Sequence, residues 1–190
     1  MKNFFTLLLI ILPILLNAQY SEPNRTFAKR QTDIQLAIGL LPTYSADHPE
    51  TIIPPIQVGT RWLITDNLSL GIFTGYSASE SREQTLFDSV KGRWKNQTWF
   101  LGIENGFHYT KMDNWDIYGG YSLFYQHIMI DTDDLEFEIA MEQVGVRPQS
   151  GKVAFTAFLG TRFAFSPNYT VFAELGYGIS LFKLGVGFRL

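Results

Sequence analysis

The sequence contains no cysteine and no excess of either charge. Without cysteine the chain has no disulfide framework, no thiolate metal site and no cysteine for a lipid anchor after a leader. Lysine and arginine total 15 against 18 acidic residues, so the net charge is only -3 and gives no basic excess for binding nucleic acid. The 190 residues are enough for one domain with a complete core.

The N-terminal stretch MKNFFTLLLIILPILLNAQ has the three parts of a secretory leader. Lys2 supplies the positive end, residues 4–16 form the apolar part, and cleavage is expected after Ala18. A retained membrane anchor is the alternative, but the apolar run is interrupted by Pro13 and is short for a span of roughly 20 residues. We therefore predict an exported protein with a signal peptide at 1–18, a short periplasmic segment at 19–32 and one further domain at 33–190.

From Asp33 to the last residue, apolar side chains alternate with small, polar or charged ones. A period of two indicates β-strands, and no segment after the leader shows the pattern of an amphipathic helix. The bulky apolar face is continuous in every run, whereas a soluble barrel such as a lipocalin would turn that face inward. The pattern predicts an all-β fold, an eight-stranded antiparallel transmembrane β-barrel with a polar lumen. Its runs are 34–40, 56–64, 68–76, 99–109, 117–125, 153–165, 171–177 and 182–190.

The connections between the runs alternate in length. Short turns are expected at 65–67, 111–114 and 166–168, and longer loops at 45–54, 78–95 and 131–150. Outer-membrane barrels have short periplasmic turns and longer extracellular loops, so the long connections should lie outside the cell. The last hairpin should have a tight turn at Gly178 and Ile179. Because side chains only just fill an eight-stranded barrel, no open pore is expected.

The C-terminal residues resemble the assembly signal of outer-membrane β-barrels. That signal has a polar residue, a glycine two places on, and hydrophobic residues at the third-last and last positions; here these are Lys183, Gly185, Phe188 and Leu190. The final residue is usually aromatic, so Leu190 departs from the pattern. The mature chain resembles the small porin-like barrels of Gram-negative bacteria, such as the membrane domain of outer membrane protein A and outer membrane protein X. The resemblance implies location in the cell outer membrane, contact with outer-membrane lipid and lipopolysaccharide, insertion by the barrel-assembly machinery, and a monomer.

Charged residues on the inward parity predict a charge network in the lumen. Counting from the last turn, Glu174 and Lys183 oppose each other. Counting from Pro167, Arg162 opposes Phe172, which makes Glu174 its diagonal neighbour and expected partner, with Glu104 the next candidate. The alternative is that each charged group reaches lumen water separately. The predicted network consists of Arg61, Glu104, Arg162, Glu174, Lys183 and Arg189.

No motif in the sequence indicates a catalytic, cofactor or metal site. The three histidines lack metal-ligand spacing, and no motif places a serine, a histidine and an acid together. The acidic stretch 131–142 has Glu136 where a calcium loop needs glycine. We therefore expect no enzyme and no cofactor, but a structural, adhesive or surface-interaction role, with an extracellular ligand possible at loops 78–95 and 131–150. The alternatives are a lipid A- or phospholipid-modifying enzyme and, less favoured, a secreted lipocalin-like binder.

Overall fold

The computed structural model describes residues 26–43, 49–86 and 90–190. The predicted signal peptide and residues 19–25 of the predicted periplasmic segment lie outside the described residues. Within them the chain forms ten strands and one helix. In chain order these are β1 Thr32–Gly39, β2 Glu50–Thr65, β3 Leu68–Glu80, β4 Gln84–Thr85, β5 Lys91–Gly92, β6 Lys95–Tyr109, β7 Trp115–Asp131, α1 Leu135–Gln143, β8 Gln149–Ala164, β9 Tyr169–Gly176 and β10 Phe182–Arg189.

Eight of these strands form a closed antiparallel barrel in the order β1-β2-β3-β6-β7-β8-β9-β10. The barrel closes between β1 and β10, where Asp33 lies opposite Arg189 and Gly39 opposite Lys183. Strands β4 and β5 pair with each other in a small separate sheet. Each of the eight predicted runs overlaps one of the eight barrel strands, so the predicted fold class is confirmed.

The outside of the barrel is covered with exposed apolar side chains. Leu101, Phe155 and Leu159 are 63%, 68% and 70% exposed, although alternate residues of the same strands are buried. Large apolar faces of this extent are not left in contact with water, so this face contacts lipid. Aromatic side chains meet near the strand ends, as in the pair Trp115 and Phe163, whose ring centroids are 4.9 Å apart. No helix among the described residues is long and apolar enough to span a membrane.

The two ends of the barrel differ. At one end, here called the turn end, β2–β3, β6–β7 and β8–β9 are joined by short connections, as predicted. At the opposite end, the loop end, the connections at 78–95 and 131–150 contain more strand than expected. The reason is that polar residues beyond the apolar band continue the ladder: Ser77 pairs with Thr98, and Glu80 with Lys95.

Strands β9, β10 and β1 have eight residues each, half as many as β8 and β2 on either side of them, so the wall is uneven at the loop end. Strand β8 pairs with β7 from Gln149 onward, but with β9 only from Phe158, opposite Gly176. The expected two-residue turn at Gly178 and Ile179 is a longer connection, 177–181, closed by a hydrogen bond from the Gly176 amide to the Leu181 carbonyl. It is longer because Ile179 turns inward and packs on lumen aromatics.

Helix α1 was not expected from the sequence. The Asp134 side chain accepts hydrogen bonds from the backbone amides of Glu136 and Phe137 and so caps its N-terminus. The Phe137 ring is buried and stacks on Trp94 at a centroid distance of 6.0 Å. The helix has nine residues, and three of them, Phe137, Ala140 and Met141, are buried. It is therefore too short to show the long apolar stripe by which helices are recognised in sequence.

Candidate functional site

The lumen contains two clusters of buried charge, which together include all six residues of the predicted network. The middle cluster comprises Arg61, Glu104, Glu174 and Lys183. The inner cluster lies nearer the turn end and comprises Arg162 and Arg189 with two acids that the sequence reasoning did not include, Asp33 and Asp116. Four cations thus face four carboxylates, so the ion-paired groups sum to no net charge.

In the middle cluster, Arg61 bridges two carboxylates. Its Nη2 lies 2.6 Å from Glu104 Oε1 and 3.0 Å from Glu174 Oε1. Lys183 Nζ lies 2.5 Å from the second oxygen of Glu174, and the Tyr118 hydroxyl donates to Oε1 of the same carboxylate at 2.9 Å. Arg61 is 1% exposed and Glu174 2%. These groups are thus held by one another rather than by solvent.

Two glycines on the strands between these side chains make the contacts possible. Gly71 lies on β3 between Arg61 and Glu104, and a Cβ there would lie 2.8 Å from Glu104 Cγ. Gly160 lies on β8 between Tyr118 and Glu174, and a Cβ there would lie 2.7 Å from the Tyr118 ring. Contacts below 3.0 Å are too close for a real Cβ. A glycine in the intervening strand therefore lets side chains two strands apart meet.

In the inner cluster, Arg162 binds two acids. Its Nε and Nη2 donate to Asp116 Oδ2 at 3.2 and 2.7 Å, and Nη1 donates to Asp33. Arg189 Nε donates to the other oxygen of Asp33 at 3.3 Å. Arg162 is fully buried, so its ion pairs are shielded from solvent. The expectation that Glu174 pairs with Arg162 is wrong: Glu174 contacts Arg61 and Lys183, and Asp116 and Asp33 take its place.

Residues 26–31, part of the predicted periplasmic segment, fold against the turn end of the lumen. The Phe27 ring is fully buried and lies beneath both arginines of the inner cluster, with guanidinium carbons 4.3 Å (Arg162) and 4.7 Å (Arg189) from its centroid. It also packs with Leu63 and Ala164. The Thr26 carbonyl accepts a hydrogen bond from Arg189 Nη1 at 2.9 Å. This segment, the inner plug, adds an aromatic layer below the inner cluster.

A serine, a histidine and an aspartate are linked in the order of a catalytic triad. Ser69 Oγ lies 2.7 Å from His108 Nε2, and His108 Nδ1 lies 2.8 Å from Asp116 Oδ2. No sequence motif indicates this group, because it forms where lumen-facing positions on three strands, β3, β6 and β7, converge. The three residues are 1%, 5% and 0% exposed, and the Tyr118 ring stacks on the imidazole at 5.2 Å. A nucleophile needs room for a substrate carbonyl, which this packing does not provide.

Above the middle cluster, apolar side chains cross the lumen. The Phe73 ring centroid lies 6.3 Å from that of Phe100 and 6.2 Å from that of Phe124, and Ile179 packs against this cluster. A cavity of about 40 Å³ is lined by this layer and by Lys183, which is room for a few water molecules. A second cavity, of about 800 Å³, lies above it at the loop end and shares Phe124 and Ile179 as lining.

Comparisons with known proteins agree with this architecture. Outer membrane protein OprG of Pseudomonas aeruginosa superposes with a TM-score of 0.64 at 7% identity, over 90% of this chain and 99% of that one. Ail of Yersinia pestis, in complex with the heparin analogue sucrose octasulfate, gives 0.50 at 13% identity over 85% and 99%. De novo designed transmembrane β-barrels give 0.50 at 15% identity over 85% and 97%. No protein-family model and no curated protein matches the sequence.

The fold is that of the small outer-membrane β-barrels. The resemblance inferred from the sequence is therefore confirmed at the level of architecture. In this barrel the proposed assembly-signal residues lie on or next to β10. Gly185 lies in the lumen row of Lys183, close to the Phe172 ring, whereas Phe188 and Leu190 face outward and are 41% and 70% exposed. Their role in assembly stays a prediction.

The barrel carries further structure beyond the apolar band at the loop end. We call this part the outer rim: β4, β5, α1 and the loop-end extensions of β2, β3, β6 and β7. Ion pairs here are exposed, as between Lys95 and Asp133 at 3.1 Å and Arg93 and Glu80 at 3.7 Å. Exposed pairs typically contribute less than about 1 kcal/mol. Among the described residues, no group of three or more histidine or acidic side chains is placed to hold a metal ion.

Proposed function

We propose that this protein resides in the outer membrane as a closed, non-conducting barrel that presents its outer rim at the cell surface. The main observation that supports this proposal is the filled lumen. The inner plug, two charge clusters and an aromatic layer follow one another along the barrel axis. Because each charged group is paired with another inside the wall, little is left to solvate a permeating ion.

The outer rim supports a structural, adhesive or surface-interaction role. Loops 78–95 and 131–150 are packed against each other through Trp94 and Phe137, so they present a fixed surface. The barrel itself would act as the membrane anchor of this surface, inserted as a monomer by the barrel-assembly machinery. A binding partner would thus meet the rim and not the lumen charges.

Conductance of the purified protein tests closure. The barrel is refolded into vesicles, its insertion is checked by a gel mobility that changes on boiling, and the vesicles are fused to a planar bilayer. We expect no stable open-channel current, because no wide aqueous passage crosses the filled lumen. Sustained, ohmic channels at the density of inserted protein would refute the proposal. Empty vesicles and a variant lacking residues 19–31 serve as the controls, the latter reporting whether the inner plug alone seals the lumen.

One feature argues against the alternative of a lipid-modifying enzyme. The linked Ser69, His108 and Asp116 lie inside the wall, and Asp116 also pairs with Arg162. Removing the serine hydroxyl should therefore change stability rather than an activity.

A further inference from the structure

The cavity at the loop end has the size and lining of a small-molecule site. Its volume of about 800 Å³ falls within the range of about 300–1,000 Å³ that ligand sites occupy. The floor is apolar and consists of Phe124 and Ile179, held by the aromatic layer below. The walls carry neutral hydrogen-bonding side chains from several strands: Ser79, Asn96, Thr98, Gln126, Ser150 and Thr156.

The charge of the lining points to an anion. Among the described residues that line this cavity, Lys152 is the one with a charged side chain, and the lining contains no carboxylate. Lys152 lies opposite Gln126 on the lumen side of β8, two residues before Ala154, which packs on the aromatic layer. At about 3.3 Å per residue, the Cα of Lys152 lies roughly 7 Å along β8 from that of Ala154, towards the loop end. A cation is thus attached close to the apolar floor, with no carboxylate among the described lining residues.

The cavity also opens sideways. Val153 and Phe155 belong to its lining, although their side chains lie on the lipid-facing parity and are 64% and 68% exposed. This is possible because β8 has β9 as a partner only from Phe158 onward, so among the described residues no strand covers that edge of β8 at residues 149–156. An apolar chain can pass from the cavity over this edge onto the lipid-facing surface.

We propose that the cavity binds a single-chain amphiphile with one anionic head group, such as the carboxylate of a fatty acid. The head pairs with Lys152 and accepts hydrogen bonds from the neutral walls, while the chain lies against Val153 and Phe155. The aromatic layer stops the ligand from entering the inner lumen. Part of its wall, including Ser79 and Asn96, belongs to the β3 and β6 extensions of the outer rim, but binding in the cavity does not depend on the adhesive role proposed above.

A photo-crosslinking experiment tests this assignment. The full barrel, refolded in vesicles of uncharged lipid, is irradiated with a diazirine-bearing fatty acid, and the cross-linked residues are mapped by mass spectrometry. We expect cross-links at 149–157 and near Ile179, displaced by dodecanoate but not by dodecanol or dodecylammonium. Lys152→Gln should reduce site labelling about tenfold, because a charge-assisted hydrogen bond is lost. Lys91→Gln, an exposed lysine on the outer rim, is the matched control and should leave labelling unchanged.

Two further results decide the proposal. Ala154→Trp fills the space above the aromatic layer and should also abolish site labelling, with gel mobility confirming that the barrel is folded. Equal displacement by dodecanol and dodecanoate, or unchanged labelling in Lys152→Gln, would overturn it. So would labelling spread over lipid-facing residues far from the opening, such as Leu101 and Ile103, since that pattern reports partition into lipid. If the barrel conducts ions but still shows the Lys152-dependent labelling, the proposed closure of the lumen is wrong and the ligand site stands.

Discussion

Replacing Arg162 with methionine should destabilise the barrel strongly. The substitution keeps much of the side-chain volume but removes the ion pairs to Asp116 and Asp33 and the cation that lies over Phe27. Removing one member of a buried ion-pair group typically costs about 3–5 kcal/mol, because the remaining charge is left without its partner. Each of the two acids keeps one partner, since Arg189 still contacts Asp33 and His108 still contacts Asp116. We therefore expect a loss near the lower limit, about 3 kcal/mol.

A double-mutant cycle then identifies the partner. The free energy of unfolding is measured by urea titration in vesicles for Arg162→Met, Asp116→Asn and the pair, and again with Glu174→Gln in place of Asp116→Asn. Residues in contact show coupling energies of about 0.5–3 kcal/mol. We expect such coupling with Asp116 and a smaller value with Glu174, because Glu174 is bound by Arg61 and Lys183.

The matched control is Arg93→Met, which removes an arginine that is 57% exposed and lies 3.7 Å from Glu80. Its cost should be less than about 1 kcal/mol. Strict additivity of Arg162→Met and Asp116→Asn, or a larger coupling with Glu174, would refute the arrangement of the inner cluster. An Arg162→Met loss no greater than that of the control would show that the buried pairs add nothing to stability.

Three further predictions concern the inner plug, the triad-like group and the orientation. Phe27→Ala should lower the free energy of unfolding by about 3–5 kcal/mol. No measurable change would show that the inner plug does not pack against the lumen residues when the barrel is in a membrane. A fluorophosphonate probe should not label Ser69 in the folded barrel, because its hydroxyl is buried; labelling that Ser69→Ala abolishes would instead establish a reactive serine. A tag at Gly145 should be accessible on intact cells, and a tag beside Pro167 only after the envelope is opened. The reverse pattern would show that the barrel has the opposite orientation in the membrane.

The barrel and two of its local registers could be predicted because they depend on short-range information. The period of two assigns each residue to the lipid or the lumen, and a tight turn fixes which residues face each other. Glu174 therefore lies opposite Lys183, and Arg162 opposite Phe172, as counted from the turns. The longer connection at 177–181 leaves the register of the last hairpin unchanged.

The partners of Arg162 could not be found by this counting. Asp116 lies directly opposite Arg162, but β7 and β8 are joined by the long connection 132–148, whose length does not define a register. Asp33 belongs to the strand that closes the barrel against β10, and no turn links those two strands. The alternation of lipid-facing and lumen-facing residues does place Asp33 and Asp116 in the lumen. It does not show how far either carboxylate lies from Arg162, because that distance depends on how the barrel closes.

The sizes of the lumen side chains along the axis explain why one end is closed and the other forms a cavity. Near the turn end, the lumen positions hold long charged side chains, such as Arg61 and Arg162, with glycines between some of them. Higher up they hold Phe73, Phe100 and Phe124, and beyond these mostly small or neutral residues. Because an eight-stranded barrel encloses a nearly constant cross-section, the volume left free depends on these side chains. Enlarging a wall residue at the loop end should therefore reduce the cavity at little cost in stability, whereas any enlargement at Gly71 or Gly160 displaces an ion-paired group and should be strongly destabilising.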